Sequence, residues 1–442
     1  MCKGMKNIKK IDGFVAFFNL NRYLCNSYQK RFVMNRIPRI ITLWTMLLCA
    51  VCLAAQNMMQ VSGRVVDAQT GKPLSQATLV AKGTNIATVT NDDGVFLLKL
   101  PSGRARVNVS HMGYETAGLT VSENHIKPFE VKLKPTAFML DEFVVWTEDP
   151  HDLIRIAVSK ITDNYSKQPE RYQTFYREMV KKRNRYISVA EGVVDMYKSA
   201  YGRNAFRDGV SIRKGRRIIS SRQKDTLSVK VLGGPAFPIQ LDVVKNLNFL
   251  LSEEELSGYR MSMGEPTAVD GRMQFVVKLE PAMIREYPLF NGTLYIDRQT
   301  LAFTQVELSL DVSDRQKATE YMLRKKPSGL RFRPKELSCV VHYRTGDDGI
   351  TRISYVRNTF AFNCDWKRRL MATPFTAICE MVVTDHTQEG AKPLKGHDTF
   401  STRDAFYDKV DFFLDPAYWE DYNIIPPTES LEDAIGRLMK KR

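Results

Sequence analysis

Residues 61–115 read VSGRVVDAQTGKPLSQATLVAKGTNIATVTNDDGVFLLKLPSGRARVNVSHMGYE, and this stretch decides the fold of the region around it. Val61, Gly63 and Val65 alternate with Ser62 and Arg64, the period of two that marks a half-buried strand. A turn follows at Thr70-Gly71-Lys72-Pro73, then strands at Ala77–Lys82 and Ala87–Thr90. Asn91-Asp92-Asp93-Gly94 is a hairpin turn, because Asn and Gly tolerate positive φ. Val95–Leu100 runs to Pro101-Ser102-Gly103. In the next strand Ala105, Val107 and Val109 face in while Arg104, Arg106 and Asn108 face out. His111-Met112-Gly113-Tyr114 turns again, and Phe129–Leu133 closes the set. Seven strands in about 75 residues, with no helical period, predict a small β-sandwich.

The same residues carry a family resemblance. The marks are G-x-V-x-D at Gly63–Asp67, the Gly71-Lys72-Pro73-Leu74 turn, and the stretch ending at Gly83-Thr84. T-x-x-x-G-x-F at Thr90–Phe96 and S-x-x-G-Y at Ser110–Tyr114 complete them. Together they resemble the carboxypeptidase-regulatory-like domain, a transthyretin-like sandwich. The resemblance implies an interaction module of Gram-negative envelope proteins, and it implies no peptidase activity. Leu140–Val145 resembles the L-x-E-V-V-V stretch that follows this sandwich in TonB-dependent transporters. About 290 residues then remain, too few for a plug and a transporter barrel. The segment therefore reads as an edge strand or linker.

Upstream, the chain changes character. Residues 1–55 hold nine basic side chains and one acid, Asp12, and end in a 16-residue uncharged run, Ile40–Ala55. Basic residues, an apolar run and then small residues have the layout of a secretory signal peptide, and the run is short for a membrane span. Met34 would open a signal of ordinary length, so residues 34–56 read as the signal peptide and 1–33 as a gene-model extension. Cys49 and Cys52 raise the alternative of a lipoprotein, but Leu48 and Val51 stand where a small residue is needed. Removing residues 1–55 leaves 56 basic and 48 acidic residues, so half of the formal +16 belongs to the leader. Three cysteines remain, Cys339, Cys364 and Cys379, which excludes a disulfide framework. Cys339 alternates with Leu337, Val341 and Tyr343 and reads as a small buried hydrophobe.

Downstream, Pro150–Pro169 is predicted as a helix capped by Asp152, with Leu153, Ile156, Ala157, Ile161 and Tyr165 on its apolar side. Strands are expected at Phe175–Met179, Tyr186–Met196 and, more weakly, Ser211–Arg217. A helix is expected at Gln240–Leu251. Hairpins follow at Asp270-Gly271, at Arg298-Gln299 between Thr293–Asp297 and Ala302–Leu310, and at Gly346–Gly349 between Glu336–Thr345 and Thr351–Phe362. Consecutive hairpins predict an antiparallel meander. A last helix, with Ser430 and Asp433 as an approximate capping box, ends at Lys440-Lys441-Arg442. The expected fold is mainly β: a seven-stranded transthyretin-like sandwich plus a larger antiparallel β domain with a few helices, in the form of a half-barrel. The expected segments are the sandwich at 57–135, a linker strand and helix at 136–170, the β-rich domain at 171–427 and the helix at 428–442.

Asn164-Tyr165, Pro169, Phe175-Tyr176-Arg177-Glu178 and Tyr418–Ile425 resemble secreted domains that follow the same sandwich in envelope proteins. Gly292–Thr300, G-x-L-Y-I-D-x-x-T, resembles hairpins of the LolA-type lipoprotein carriers. There a curved sheet wraps a helix and binds acyl chains.

Chemistry is harder to find. Zinc needs three closed ligands and an open position. Of His111, His125, His151, His342, His386 and His397, only His386 has H-x-x-E spacing, to Glu389. No nucleophile elbow, phosphate loop or dinucleotide fingerprint occurs. Cys364 and Cys379 have no histidine placed with them by sequence. Asp92-Asp93-Gly94 and Asp347-Asp348-Gly349 are explained as hairpin turns rather than calcium loops. No catalytic, cofactor or metal residue is therefore nominated. The basic clusters Lys181–Arg185, Arg213–Arg217, Arg324–Lys326 and Lys367–Arg369 read as solvated turn tips. Export excludes nucleic acid and makes outer-membrane proteins, anionic lipids or lipopolysaccharide the expected partners. Asp225-Thr226-Leu227 has the short pattern resembling envelope O-glycosylation sites, and the acidic residues of 404–433 read as a solvated face. The expected function is a non-enzymatic exported envelope protein, its sandwich an interaction module and its larger β domain a binder of a hydrophobic or polymeric ligand or of an outer-membrane partner. The alternatives are an accessory of a TonB-dependent uptake system and a hydrolase of envelope or dietary polymers.

Overall fold

The computed structural model describes residues 58–124, 127–136, 149–202, 207–220, 231–323, 328–366, 372–412 and 418–439. The leader, His125, Leu140–Val145, Asp225–Leu227, Arg324–Lys326, Lys367–Arg369 and Lys440–Arg442 lie outside them. Residues from Met58 onward form one compact unit, described here. Among the described residues no helix is long and apolar enough to cross a membrane.

The protein is mainly β. The first seven strands are β1 (Met58–Asp67), β2 (Thr78–Ala81), β3 (Ala87–Val89), β4 (Val95–Pro101), β5 (Arg104–Ser110), β6 (Ala117–Ser122) and β7 (Phe129–Leu133). They form the expected sandwich, one sheet ordered β4-β1-β7 and the other β3-β2-β5-β6. β1 runs antiparallel to β4 and parallel to β7. The alternation read from the sequence fills its core: Val65, Leu79, Phe96, Leu98, Val107, Val109 and Leu133 are all buried. Each such side chain contributes about 1.5–3 kcal/mol relative to exposure. Two motif glycines are explained by close approach. A Cβ on Gly63 would sit 2.3 Å from the Phe129 carbonyl oxygen, and one on Gly94 (φ +74°) would sit 2.6 Å from that of Val65.

A second, twelve-stranded sheet follows. Its strands are β8 (Glu170–Lys182), β9 (Arg185–Lys198), β10 (Gly209–Ile219), β11 (Tyr259–Met263), β12 (Thr267–Val269), β13 (Arg272–Pro281), β14 (Phe290–Asp297), β15 (Phe303–Leu310), β16 (Leu330–Thr345), β17 (Thr351–Trp366), β18 (Thr373–Thr387) and β19 (Asp411–Phe412). The order is β11-β13-β14-β15-β16-β17-β18-β8-β9-β10-β19, with β12 paired to β13. All its pairs are antiparallel except β10 with β19. The meander is as expected, but β18 was not anticipated. It enters between β17 and β8 and is therefore buried on both faces, so its sequence lacks a clean alternation.

The two faces of this sheet have different covers. On one, helix α1 (Pro150–Ser159) and the short α2 (Ile161–Asn164) bury Leu153, Ile154, Ala157 and Ile161 against Tyr172, Tyr176, Val194, Val306, Cys339 and Val341. The single predicted helix breaks at Lys160, and Asp149, not Asp152, caps α1 by accepting from the His151 amide. Asp152 instead pairs with Arg155 at 2.7 Å.

The helix predicted at Gln240–Leu251 is a correction. The chain there forms a 3-10 turn at Gly234–Ala236, a four-residue helix α3 (Phe237–Gln240) and another 3-10 turn at Leu247–Phe249. The Asn246 amide donates to the Ile239 and Gln240 carbonyls, occupying acceptors that a continuing helix would use. The apolar residues still face the core, with Leu241, Val243, Val244, Leu250 and Leu251 buried. Helices α4 (Glu253–Leu256), α5 (Arg315–Met322) and α6 (Glu429–Met439) complete the set. α6 is capped two residues earlier than expected: Thr428 Oγ1, not Ser430, accepts from the Leu431 amide.

Candidate functional site

The sandwich and the C-terminal segment cover the other face of the large sheet. Residues 418–425 run across it as a strap. Trp419, Ile424 and Ile425 pack with Phe175, Val193, Tyr355 and Val382 of the sheet and Val89 of the sandwich. Trp419 meets Phe175 edge-on at 5.4 Å, with Arg216 over its ring at 5.0 Å. Asn423 acts as a surrogate strand edge: its Oδ1 accepts from the Lys99 amide at 2.7 Å and its Nδ2 donates to the Lys99 carbonyl. Asn91 Nδ2 donates to the carbonyls of Pro426 and Pro427.

Charges in this sealed half are paired. Arg177, 2% exposed, donates to Glu191 at 2.7 Å and to the Ile425 carbonyl at 2.6 Å, and Arg216 takes the second Glu191 oxygen at 2.9 Å. Arg357 holds Asp92 at 2.6 Å and Glu380 at 3.2 Å. The Asp-Asp-Gly turns read only as hairpin tips thus dock the sandwich: Asp92 on Arg357, Asp93 on the Glu429 amide, and Asp347 on the Gly83 amide. Asn85 Nδ2 donates to the His386 carbonyl, and the Gly113 amide to that of Ala268.

The basic cluster Arg213–Arg217 is not a solvated turn tip. It lies within β10, where Arg213 pairs with Asp195, Lys214 with Glu420 and Arg217 with the Tyr407 carbonyl. The acidic C-terminal stretch is in part the partner of this cluster. Lys181–Arg185 does span a turn, at Arg183-Asn184, with Lys181 stacked on Tyr186.

Beside the sealed half the two layers part, leaving a cleft of about 470 Å3. One wall comes from the sandwich (Ser75, Thr78, Ser110, His111). The other comes from β13, β15, β16 and β17, with Asp270, Arg272, His342 and Arg344. Asp270 (φ +50°) and Gly271 (φ +70°) form the predicted tight turn at its rim. Most lining residues are polar types, although apolar atoms make up more than half of the cleft surface, and its charges are poorly paired. Arg272 reaches Asp297 at 3.4 Å, and Glu307 accepts from Gln305 at 2.5 Å. Nη1 of Arg344 is shut off from solvent with no hydrogen-bond partner.

The two imidazoles are held neutral. Burial pushes His342 down to about 3, helped by His111, and burial lowers His111 as well. His111 lies with Nδ1 2.9 Å from the Met112 carbonyl and Nε2 3.1 Å from that of Ser75. A neutral ring can donate to only one of them. Ser354 donates to the His342 carbonyl rather than to its ring.

The opposite face of the sheet carries a sealed polar network. Lys198 pairs with Asp242 at 2.6 Å and Lys245 with Asp208 at 2.9 Å, all four side chains buried. Tyr201 and Tyr343 each donate to Asp242 at 2.9 Å. Burial draws Lys245 down to about 8, with Lys198 adding to it. Every member has a partner, so the network reads as core structure.

His386 is buried and stacked on Tyr172, its pKa pushed down to about 4 by burial and Arg352, while Glu389 is exposed. Among the described residues no group of three His, Cys, Asp or Glu side chains could hold a metal ion. Cys339, Cys364 and Cys379 are buried and free, and burial raises all three thiols, Cys339 to about 12 and Cys364 to about 11. His111 and His342 were noted in the sequence only as isolated histidines. The missed signal lies on β16. If Cys339, Val341 and Tyr343 face the core, then Val340, His342 and Arg344 share the other face.

These features define a transthyretin-like sandwich docked on a large open antiparallel sheet, with a cleft between them that mixes apolar surface with polar groups. Residues 61–145 match the model of the CarboxypepD_reg-like domain family, as the motifs implied. Among solved structures, the chain aligns with a putative outer membrane lipoprotein-sorting protein domain from Vibrio parahaemolyticus at 14% identity, TM-score 0.25, covering 55% of this chain and 94% of that one. A DUF1329 family protein from Desulfovibrio piger aligns at 8% identity and TM-score 0.24, covering 55% and 92%. Pseudomonas aeruginosa MucB, solved with MucA, aligns at 13% identity and TM-score 0.17, covering 55% and 99%. At these scores the alignments are only a likeness. No curated protein sequence matches the chain.

Proposed function

We propose that the protein is a non-enzymatic, exported envelope protein that binds a small polar ligand in the cleft between the sandwich and the sheet. The observation that carries this reading is the cleft itself. Its two walls come from separate folded layers that are clamped together on one side and left apart on the other. Its volume of about 470 Å3 suits a small molecule. The sandwich acts as an interaction module and as one wall of the site. The leader's charge pattern and the family match at residues 61–145 support the envelope location.

A hydrophobic ligand of the larger β domain is less well supported. The sheet face on which an acyl chain would lie is filled by α1, α2 and the 234–256 segment. A hydrolase is likewise disfavoured, since His111 faces two carbonyls and the described thiols are buried and protonated.

The test is mass spectrometry of small molecules, lipids and proteins that co-purify with the gently extracted full-length protein, against a Ser354→Trp variant that fills the cleft. A polar solute present with the wild type and lost from the variant is the expected result. Acyl lipid at one per chain, unchanged by the variant, contradicts the reading.

A further inference from the structure

We propose that the cleft ligand carries an oxyanion, a carboxylate or a phosphate, and that Arg344 is its ion-pair partner. This rests on the cleft being the ligand site and adds the chemistry of the ligand.

Arg344 differs from five other arginines of this interface. Arg177, Arg213, Arg216, Arg352 and Arg357 each contact at least one carboxylate within 3 Å. Arg344 lines the cleft half-buried, and among the described residues no hydrogen bond or ion pair holds its guanidinium; Nη1 is enclosed, and the rest of the fork is left for a ligand. The carboxylates that act on it, Asp270, Asp347 and Asp348, do so from a distance, and two of them are already engaged by Gly83 and Arg352. A half-buried guanidinium with no protein partner keeps donors free for a ligand, and a planar fork of donors suits a carboxylate or phosphate oxygen pair.

The surroundings fit the same ligand. Arg272 is loosely paired on the same wall. Thr78 and Ser110 lie around the cleft, and the Ser75 and Ser354 hydroxyls, which donate to Asp92 and to the His342 carbonyl, can still accept from the hydroxyls of a sugar acid or a polyol phosphate. Asp270 and Glu307 are acidic members of the same lining, so a bound anion has to sit on the Arg344 and Arg272 side of the cleft.

The experiment is calorimetric titration of the full-length protein at pH 7 and low salt with glucuronate, glycerol 3-phosphate and, as the uncharged control, glucose. At least one anion should bind, and glucose should not; which anion binds separates a carboxylate from a phosphate source. Arg344→Gln should weaken that binding tenfold or more without lowering the unfolding temperature, Arg344→Lys should restore part of it, and Arg272→Gln should weaken it less. Glucose binding as tightly as the anions, or anions binding undiminished to Arg344→Gln, overturns the oxyanion while leaving the cleft as a ligand site. If no probe binds the wild type the oxyanion proposal falls. The cleft reading falls with it only if Ser354→Trp also leaves the co-purifying solutes unchanged.

Discussion

The contact between the sandwich and the sheet has two halves built from the same residue types with opposite outcomes. In the sealed half, the strap at 418–425 fills the gap, and Arg177, Arg213, Arg216 and Arg357 each find a carboxylate. In the open half no strap intervenes, and Arg344 is half-buried without an ion-pair partner, its Nη1 enclosed. A buried charge left unpaired is costly, so an interface selected purely for cohesion would pair it or replace it with an apolar group. On the proposed reading, one half serves cohesion and the other recognition.

The largest way to break the sealed half is Trp419→Ala. It removes a 4%-exposed indole between Phe175 and Arg216 and should cost about 3–5 kcal/mol in urea unfolding. Faster proteolysis near residues 418–425 should accompany the loss.

The pH dependence sharpens the open half. His342 titrates at about 3 in the folded protein against an ordinary 6.5, so the unfolded chain binds its proton first on acidification. Its contribution is fully present above pH 6.5 and is lost as pH falls toward the folded value. Between pH 7 and 4.5, His342→Gln should therefore lose less stability than the wild type in parallel thermal melts. Buried Glu178 has the opposite sign. Burial raises it to about 8, with a Tyr176 hydroxyl 3.3 Å away, so its contribution is lost as pH rises through 8. Glu178→Gln should be more stable than the wild type at pH 9, by up to about 4 kcal/mol for this shift, and close to it at pH 5. The smallest effect is expected from Asp92→Ala at the half-exposed docking turn, less than about 1 kcal/mol, since Arg357 keeps Glu380 as a partner.

The sandwich was legible because its information is local. Alternation at Val61–Val65 and Val107–Val109, and glycines such as Gly94, specify strands and turns within a few residues. The meander from Arg272 to Trp366 was legible for the same reason. What could not be read depends on distant partners. Gln240–Leu251 has a helical apolar period, yet Asn246 and the buried Asp242 redirect its backbone and side-chain bonds. Arg213–Arg217 looks like a solvated cluster until Glu191, Asp195 and Glu420 arrive beside it. The cleft joins Ser75 and His111 to residues beyond position 268, a pairing that no local pattern encodes.

The most direct test of the contrast is urea unfolding of two parallel variants, Arg177→Met and Arg344→Met. The paired arginine should be costly to remove, about 3–5 kcal/mol, because Glu191 is left buried with one partner fewer. The unpaired arginine should cost nothing or stabilise the protein by up to about 1 kcal/mol. Equal losses from the two variants would contradict the division of this interface into a cohesive half and a recognising half.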